Sequence, residues 1–244
     1  MLFGGERMLA IVDSRITDTM RRSLMREGFS LIELPSFSAL GEAISSHPDT
    51  LFFRLGKSII SSVDYAEYAP YIFTDIRDGA PDFRIILTDD RLGDKYPEDC
   101  KYNAQVMGDI IFCRESSISD AVSALAKAAG KRIVNVKQGY PACSTLALGE
   151  RAAITADKGI SRALRAEGIK VYEIEPGNIA LPPHEYGFIG GACGVFRDKI
   201  YFFGDYTKHP SRDILDAAME TWGFSPVCLS GERLVDLGGI LFLD

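Results

Sequence analysis

Apolar and polar positions along the chain predict short strands and amphipathic helices in a fixed order. Residues 186–205 predict a Gly-rich first strand, a tight turn at residues 197–199 and an apolar second strand at residues 200–203. Apolar residues at helical spacing follow, up to Trp222, and Gly223 is typical of a helix end. Residues 224–229 then predict another strand, so the unit is strand, strand, helix, strand.

This unit recurs about five times, which indicates a repeat architecture. The other predicted helices, each followed by a glycine and a strand, are residues 17–27, 65–78, 117–129 and 158–167. The other predicted hairpins are residues 50–61, 102–113 and 144–155. Most intervals between helices therefore hold three strands, whereas an open doubly wound α/β sheet, the alternative, would place one strand between helices.

The two ends of the chain complement each other. Residues 8–13 predict a strand without a preceding hairpin partner, and residues 234–243 predict a strand without a following one. Pairing of these segments would complete the fifth unit and leave no exposed edge. We therefore expect one α/β domain, residues 1–244, closed by pairing of its N- and C-terminal strands.

Composition narrows the class of protein. The 244 residues are 46% hydrophobic and carry a formal charge of −7, so we expect a globular chain without a nucleic-acid partner, which would need a basic face. Glu6 and Arg7 precede any long apolar run, and no run suits a membrane helix, so we expect a cytoplasmic protein without a secretory signal. Neither metal-ligand spacing nor a dinucleotide loop is present, and we expect no cofactor.

Five strand, strand, helix, strand units with the last strand beside the first resemble the pentein superfamily. These α/β propellers include arginine deiminases, dimethylarginine hydrolases and amidinotransferases, and the fold also hosts a non-catalytic ribosome anti-association factor. The resemblance covers nearly the whole chain and implies a five-unit α/β propeller around a central channel that holds the site. The chain is also similar to an uncharacterised bacterial branch of the superfamily, for which the resemblance implies no defined activity.

The catalytic motifs of the family are matched poorly. Residues 47–56 (HPDTLFFRLG) resemble the first-unit segment that helps bind guanidinium, but Leu55 and Gly56 stand near the place of its acid. Residues 101–108 lack the second-unit Glu-Gly-Gly-Asp pattern, residues 139–148 lack the third-unit His, and residues 240–243 lack the nucleophilic Cys. Guanidine hydrolysis needs that thiolate and that His as well as carboxylates. The resemblance therefore implies the fold and the place of the site but not the reaction.

If the first strand of each hairpin lines the channel, as the resemblance implies, the polar residues that open those strands converge. The expected ligand-binding residues are Asp49, Asn103, Ser144, Thr145, Glu185, Tyr186 and Asp236. Such a set suits a small polar or cationic ligand. Alternatively, these groups satisfy one another and backbone groups at the mouth of the ring. The acidic run at residues 89–99 predicts a solvated loop that could border the same mouth.

Cys143 is the candidate nucleophile because it lies in a polar Cys-Ser-Thr run, with His184 as its candidate activator. The alternative is a buried structural thiol, and Cys193 is expected to be packing. We expect His47 and His209 to be exposed structural residues.

Three functions remain open. The first is a binder of a small polar ligand, such as a guanidino or amino compound, without amidine hydrolase chemistry. The second is a C–N hydrolase or amidinotransferase that uses a relocated thiol at Cys143. The third is a scaffold for a protein partner.

Overall fold

The computed structural model describes residues 8–244 as five three-stranded sheets of one design. In each sheet the middle strand pairs antiparallel with one neighbour and parallel with the other. The parallel partner follows the middle strand in sequence after at least one helix. Glu6 and Arg7, on which the expectation about a secretory signal rests, lie outside the described residues.

The elements follow the order that the hydrophobic pattern predicts. The strands are β1 (Met8–Asp13), β2 (Phe29–Leu34), β3 (Phe53–Leu55), β4 (Ser58–Ser62), β5 (Arg84–Thr88), β6 (Gln105–Met107), β7 (Ile110–Cys113), β8 (Arg132–Asn135), β9 (Thr145–Leu148), β10 (Ala152–Thr155), β11 (Lys170–Glu173), β12 (Cys193–Phe196), β13 (Lys199–Phe202), β14 (Ser225–Cys228) and β15 (Leu241–Leu243). The helices are α1 (Asp18–Arg26), α2 (Pro48–Leu51), α3 (Val63–Tyr68), α4 (Pro70–Gly79), α5 (Asp120–Ala128), α6 (Pro141–Ser144), α7 (Lys158–Ala166) and α8 (Arg212–Trp222).

The predicted hairpins are confirmed, but their first strands are shorter than expected. Residues 50–51 and 144 belong instead to short helical turns, α2 and α6, that begin at Pro48 and Pro141. Proline suits the first position of a helix because the N–H that it lacks has no partner there. These turns place polar side chains directly before β3 and β9, where the site forms.

One predicted helix and its glycine stop were wrong. Residues 65–78 form parts of two helices, α3 and α4, that meet at Ala69 and Pro70, because proline interrupts the helical hydrogen bonds. Gly79 is the last residue of α4 and does not adopt the left-handed conformation expected of a helix stop. A Cβ at Gly79 would lie 2.5 Å from Leu9 Cδ1, so close packing on β1 explains the glycine.

The terminal segments pair as the sequence predicts. β15 lies antiparallel to β1, with Leu243 opposite Leu9 and Phe242 opposite Ala10. The strand predicted at residues 234–243 is wrong in length, because only its last three residues join the sheet. Phe242 also packs against the rings of Phe196 and Tyr201, which ties this sheet to the β12–β13 sheet.

Middle strands form the centres of the buried clusters. Every residue of β7 and β10 is buried, because helices cover one face of each sheet and neighbouring sheets cover the other. Within residues 8–244, the helices are all too short or too polar to cross a membrane.

Candidate functional site

The turns α2 and α6 bring two of the predicted site residues into contact. Asp49 lies in α2 and is half-buried, and Cys143 lies in α6 and is buried. The Cys143 thiol donates a hydrogen bond to Asp49 Oδ2, 2.5 Å away. These residues are far apart in sequence, so the contact depends on the sheets that the two turns precede.

Asn103 connects the Asp49–Cys143 pair to a third sheet. Its amide Nδ2 lies 3.2 Å from Cys143 Sγ and 3.3 Å from the backbone oxygen of Asp49. Its Oδ1 accepts a hydrogen bond from the backbone N–H of Ala142, over 2.9 Å. Asn103 therefore fixes the relative positions of α2 and α6.

Asp236 is enclosed by backbone. It is 2% exposed and accepts hydrogen bonds from the N–H groups of Phe188 at 2.8 Å and Gly238 at 3.0 Å. A Cβ at Gly191 would lie 1.9 Å from Asp236 Oδ1, so only glycine lets this backbone approach the carboxylate. The Gly-rich first strand predicted from residue 186 is therefore wrong over residues 186–192, where the glycines serve close approach.

His47 contributes to the site although the sequence pattern favoured an exposed role. It is 1% exposed, and its Nδ1 and Nε2 lie 3.9 Å from Asp236 Oδ1 and Asp13 Oδ2, respectively. Neither ring nitrogen has a hydrogen-bond partner within residues 8–244. Burial lowers the pKa of His47 despite the two carboxylates, so the imidazole is uncharged at neutral pH.

His209 is also buried, which corrects the second expectation of exposure. Its Nδ1 accepts a hydrogen bond from the backbone N–H of Ser211 at 3.1 Å, where it supports the chain before α8. No local sequence motif marks Asp13 or His47 as site residues. His47 lies between Asp13 and Asp236, and this grouping depends on contacts between segments that are distant in sequence.

Protons are held tightly by the Asp49–Cys143 pair. Burial, and then the negative charge of Asp236, raise the pKa of Asp49 to about 8. Burial, together with the Asp49 carboxyl group, raises the pKa of Cys143 well above its ordinary value. Both groups are therefore mainly protonated at neutral pH, and a thiolate at Cys143 is disfavoured.

A cavity of about 540 Å³, here called the acidic cavity, opens beside Cys143, His47 and Asp236. Its other lining residues include four carboxylates and three aromatic rings. These are Glu42, Asp94, Asp99, Glu185, Tyr140, Tyr186 and Phe188. Neither Lys nor Arg occurs among the described lining residues, so the cavity has strongly negative walls.

The acidic run at residues 89–99 is largely exposed, as a solvated loop would be, and Asp94 and Asp99 of this run line the acidic cavity. Asp99 is buried and accepts a hydrogen bond from the Tyr140 hydroxyl at 2.6 Å. Its other oxygen, Oδ1, has no partner in the part of the chain that the structure describes. Burial raises the pKa of Asp99.

A second cavity, here called the central cavity, has a volume of about 470 Å³. Residues from β3, β6, β9, β12 and β15, which are the strands antiparallel to the middle strands of the five sheets, line it. Asp49 and Thr145 also line the central cavity, whereas Cys143 lines the acidic cavity. The Asp49–Cys143 pair therefore spans the two cavities.

The remaining predicted site residues are divided between the acidic cavity and buried positions. His184, Glu185 and Tyr186 are exposed and line the acidic cavity, but the hydrogen bonds of Cys143 go to Asp49 and Asn103. Activation of Cys143 by His184 stays a prediction. Ser144 and Thr145 are buried, and their hydroxyl oxygens have no partner within residues 8–244. In the same residues, no three His, Cys, Asp or Glu side chains are grouped as metal ligands.

Solved structures of several enzymes have the same fold as this chain. The amidinotransferase SxtG from Microseira wollei, of the saxitoxin biosynthetic pathway, has a TM-score of 0.55 at 11% identity, over 97% of this chain and 94% of its own. DDAH from Pseudomonas aeruginosa, complexed with citrulline, has a TM-score of 0.57 at 12% identity, over 93% and 92%. Agmatine deiminase from C. jejuni has a TM-score of 0.56 at 6% identity, over 95% and 92%.

The sequence comparisons define the family. No curated protein matches the chain. The model of a family of unknown function, DUF6873, matches residues 11–241, which is nearly the whole sequence. The chain therefore belongs to the DUF6873 family and has the pentein fold.

Proposed function

We propose that this protein binds a small organic cation, with a guanidinium or amino group, in the acidic cavity without cleaving it. The carrying observation is that five carboxylates line this cavity and that its described lining includes no Lys or Arg. Carboxylates form charge-assisted hydrogen bonds with such cations, and the faces of Tyr140, Tyr186 and Phe188 favour them through cation–π attraction.

The state of Cys143 favours binding over hydrolysis. A thiolate needs a nearby positive charge or hydrogen-bond donors. The Asn103 amide is one donor to Cys143 Sγ, but burial and the carboxyl groups of Asp49 and Asp236 outweigh it and keep the pKa of the thiol raised. His47 is uncharged and has no hydrogen bond to the thiol. The segment after Gly238 and Gly239, residues 240–243, also contains no Cys.

Similarity of fold supports a guanidino or amino compound as the chemical class of the ligand. The neighbours include an amidinotransferase and an agmatine deiminase, and both names refer to guanidine-type groups.

We further infer that residues 1–244 form one domain in which the five sheets surround an axis as a propeller. The central cavity supports this arrangement, because each of the five sheets contributes to its lining the strand that lies antiparallel to its middle strand.

One observation favours a second candidate, a C–N hydrolase or amidinotransferase that uses Cys143. Asp49 Oδ2 lies 2.5 Å from the sulfur and, in its ionised form, could take the thiol proton. A bound cation beside Cys143 would favour both the ionised Asp49 and the thiolate. The thiolate could attack the guanidinium carbon to form a C–S bond, and the C–N bond would then break as the amine or ammonia leaves with the proton that Asp49 returns. This alternative predicts turnover, whereas the preferred function predicts binding alone.

Thermal unfolding with guanidino and amino compounds, followed by an ammonia-release assay, tests both functions. We expect the melting temperature to rise with a ligand and the rise to be smaller in Glu185→Gln and Asp236→Asn, with no ammonia released. Asp75→Asn, which removes an exposed charge on α4 outside the cavity, is the matched control. Ammonia release that Cys143→Ser abolishes would favour the second candidate, and no shift with any cation would overturn the first.

A further inference from the structure

The acidic cavity has hydrogen-bond acceptors at two places, and different segments of the chain hold them in position. At one, the backbone N–H groups of Phe188 and Gly238 hold Asp236, and the ring nitrogens of His47 beside it have no partner within residues 8–244. An uncharged imidazole has one nitrogen that can accept a hydrogen bond from a ligand. This place can therefore hold a cationic group through a carboxylate and an imidazole.

The second place is Asp99, which another segment of the chain supplies. The Tyr140 hydroxyl fixes one carboxyl oxygen, and the other oxygen is buried with no partner in the described part of the chain. A buried acceptor without a donor is costly, so an N–H group supplied by a ligand would be favourable there. Asp99 and Asp236 thus give the cavity two points at which positive charge is stabilised.

The same walls disfavour a ligand that carries a carboxylate. An α-carboxylate would need a Lys, an Arg or a set of backbone N–H groups, and the described lining includes neither of the two basic residues. The N–H groups of Phe188 and Gly238 already donate to Asp236. A carboxylate in the cavity would therefore meet five carboxyl groups of like charge and no Lys or Arg among the described lining residues.

We propose that the ligand is a linear organic dication without a carboxylate, with one cationic group at Asp236 and His47 and the other at Asp99. This inference rests on the proposed function, because it names the ligand class of the same cavity. The cavity should therefore bind an amine more tightly than the amino acid that differs from it by one carboxylate.

Calorimetric titration at pH 7.5 with matched ligands tests the inference. Agmatine and arginine differ by the carboxylate, as do 1,4-diaminobutane and ornithine, and butylamine is the monocation. We expect each dication to bind at least about tenfold more tightly than its carboxylate counterpart and than butylamine, since a hydrogen bond between charged groups has about that value. Equal affinity of 1,4-diaminobutane and ornithine would overturn the inference.

Asp99→Asn locates the second point, because an Asn side chain can still accept the Tyr140 hydrogen bond. We expect the advantage of 1,4-diaminobutane over butylamine to fall below about threefold, with butylamine affinity unchanged. Asp75→Asn should leave both affinities unchanged. An unaltered advantage in Asp99→Asn would contradict the assignment, and if this variant unfolds, the wild-type ligand comparison still decides.

The two proposals fail in different ways. If butylamine binds and 1,4-diaminobutane has no advantage, the cavity binds cations without a preference for dications, and this inference fails alone. If no ligand in the panel binds, the proposed function fails with it.

Discussion

Asp49 illustrates how burial changes the chemistry of one residue. Its pKa of about 8 follows from burial and from the charge of Asp236, so the folded chain keeps a proton that an unfolded chain loses near pH 4. Between about pH 4 and about pH 8 the unfolded state therefore binds fewer protons, and the contribution of Asp49 to stability falls as the pH rises. The placement of the Asp49 carboxyl group against Cys143 therefore lowers the stability of the folded protein at neutral pH.

Asp49→Asn should remove that pH dependence. The amide matches the shape of the protonated carboxyl group and does not ionise, so we expect the variant to be more stable than the wild type at pH 8 by at least about 2 kcal/mol. The gain should be much smaller at pH 5. Urea unfolding at the two pH values measures it, with Asp75→Asn as control. A variant that is equally destabilised at both values would contradict the assigned protonation.

Cys143 should react slowly with alkylating reagents. Its pKa is raised by burial and by Asp49, and little thiolate is present at neutral pH. Cys228 is the exposed thiol among the five free cysteines, so we expect iodoacetamide to modify Cys228 first in the folded protein. Peptide mass spectrometry measures both sites. Faster alkylation of Cys143 than in the urea-unfolded chain would instead favour the nucleophile.

At the scale of elements, the site depends on backbone segments that approach one another closely. Gly238 precedes β15 with φ at 70°, and a Cβ there would lie 2.3 Å from His47 Cβ and 2.6 Å from its Cα. Gly130, after α5, has φ at 66° but open space around its Cα. Both glycines therefore adopt a left-handed backbone conformation that would strain any other residue. They differ in packing, because a side chain would be blocked at Gly238 and not at Gly130.

Alanine at these two glycines should separate conformation from packing. Gly130→Ala should cost about 1 kcal/mol, because a Cβ is unfavourable at positive φ. Gly238→Ala should cost at least about 3 kcal/mol, because His47 or the α2 turn must also move. Chemical unfolding gives both values. Equal losses would mean that His47 and Gly238 are not packed as described.

At the scale of the whole molecule, pairing of β15 with β1 joins the two ends of the chain. Phe242 is buried in β15 and packs against the rings of Phe29, Phe196 and Tyr201, which belong to two sheets. The C-terminal strand therefore contributes to the core shared by neighbouring sheets as well as to one hydrogen-bonded edge.

Phe242→Ala should destabilise the whole protein. Removal of a buried phenyl ring typically costs about 3–5 kcal/mol, and the loss should appear in one cooperative transition. Leu87→Ala, at an exposed position in β5, is the control and should cost less than about 1 kcal/mol. A small effect of Phe242→Ala would show that the terminal strand is not integral to the core.

The sequence predicted the repeated unit and the terminal pairing because these depend on local periodicity. It also singled out Asp49, Asn103 and Asp236 through the resemblance, and Cys143 through its polar Cys-Ser-Thr run. Asp49 and Asn103 contact Cys143, and Asp236 lines the acidic cavity with it. The sequence missed His47 and Asp13, because their contacts link distant segments, and it misread the glycines at residues 187–191 as part of a strand. A Cβ at Gly187 or Gly191 would clash with the Asp236 side chain, and this contact forms only when segments distant in sequence come together.

Ligand-observed NMR with saturation transfer tests the central claim most directly, because one sample reports both binding and chemical change. With agmatine, we expect saturation transfer from the wild-type protein to the ligand methylene protons, weaker transfer with Asp236→Asn, and an unchanged ligand spectrum after overnight incubation. Absence of transfer, or new resonances from a cleaved ligand, would contradict the claim that the acidic cavity binds an organic cation without cleaving it.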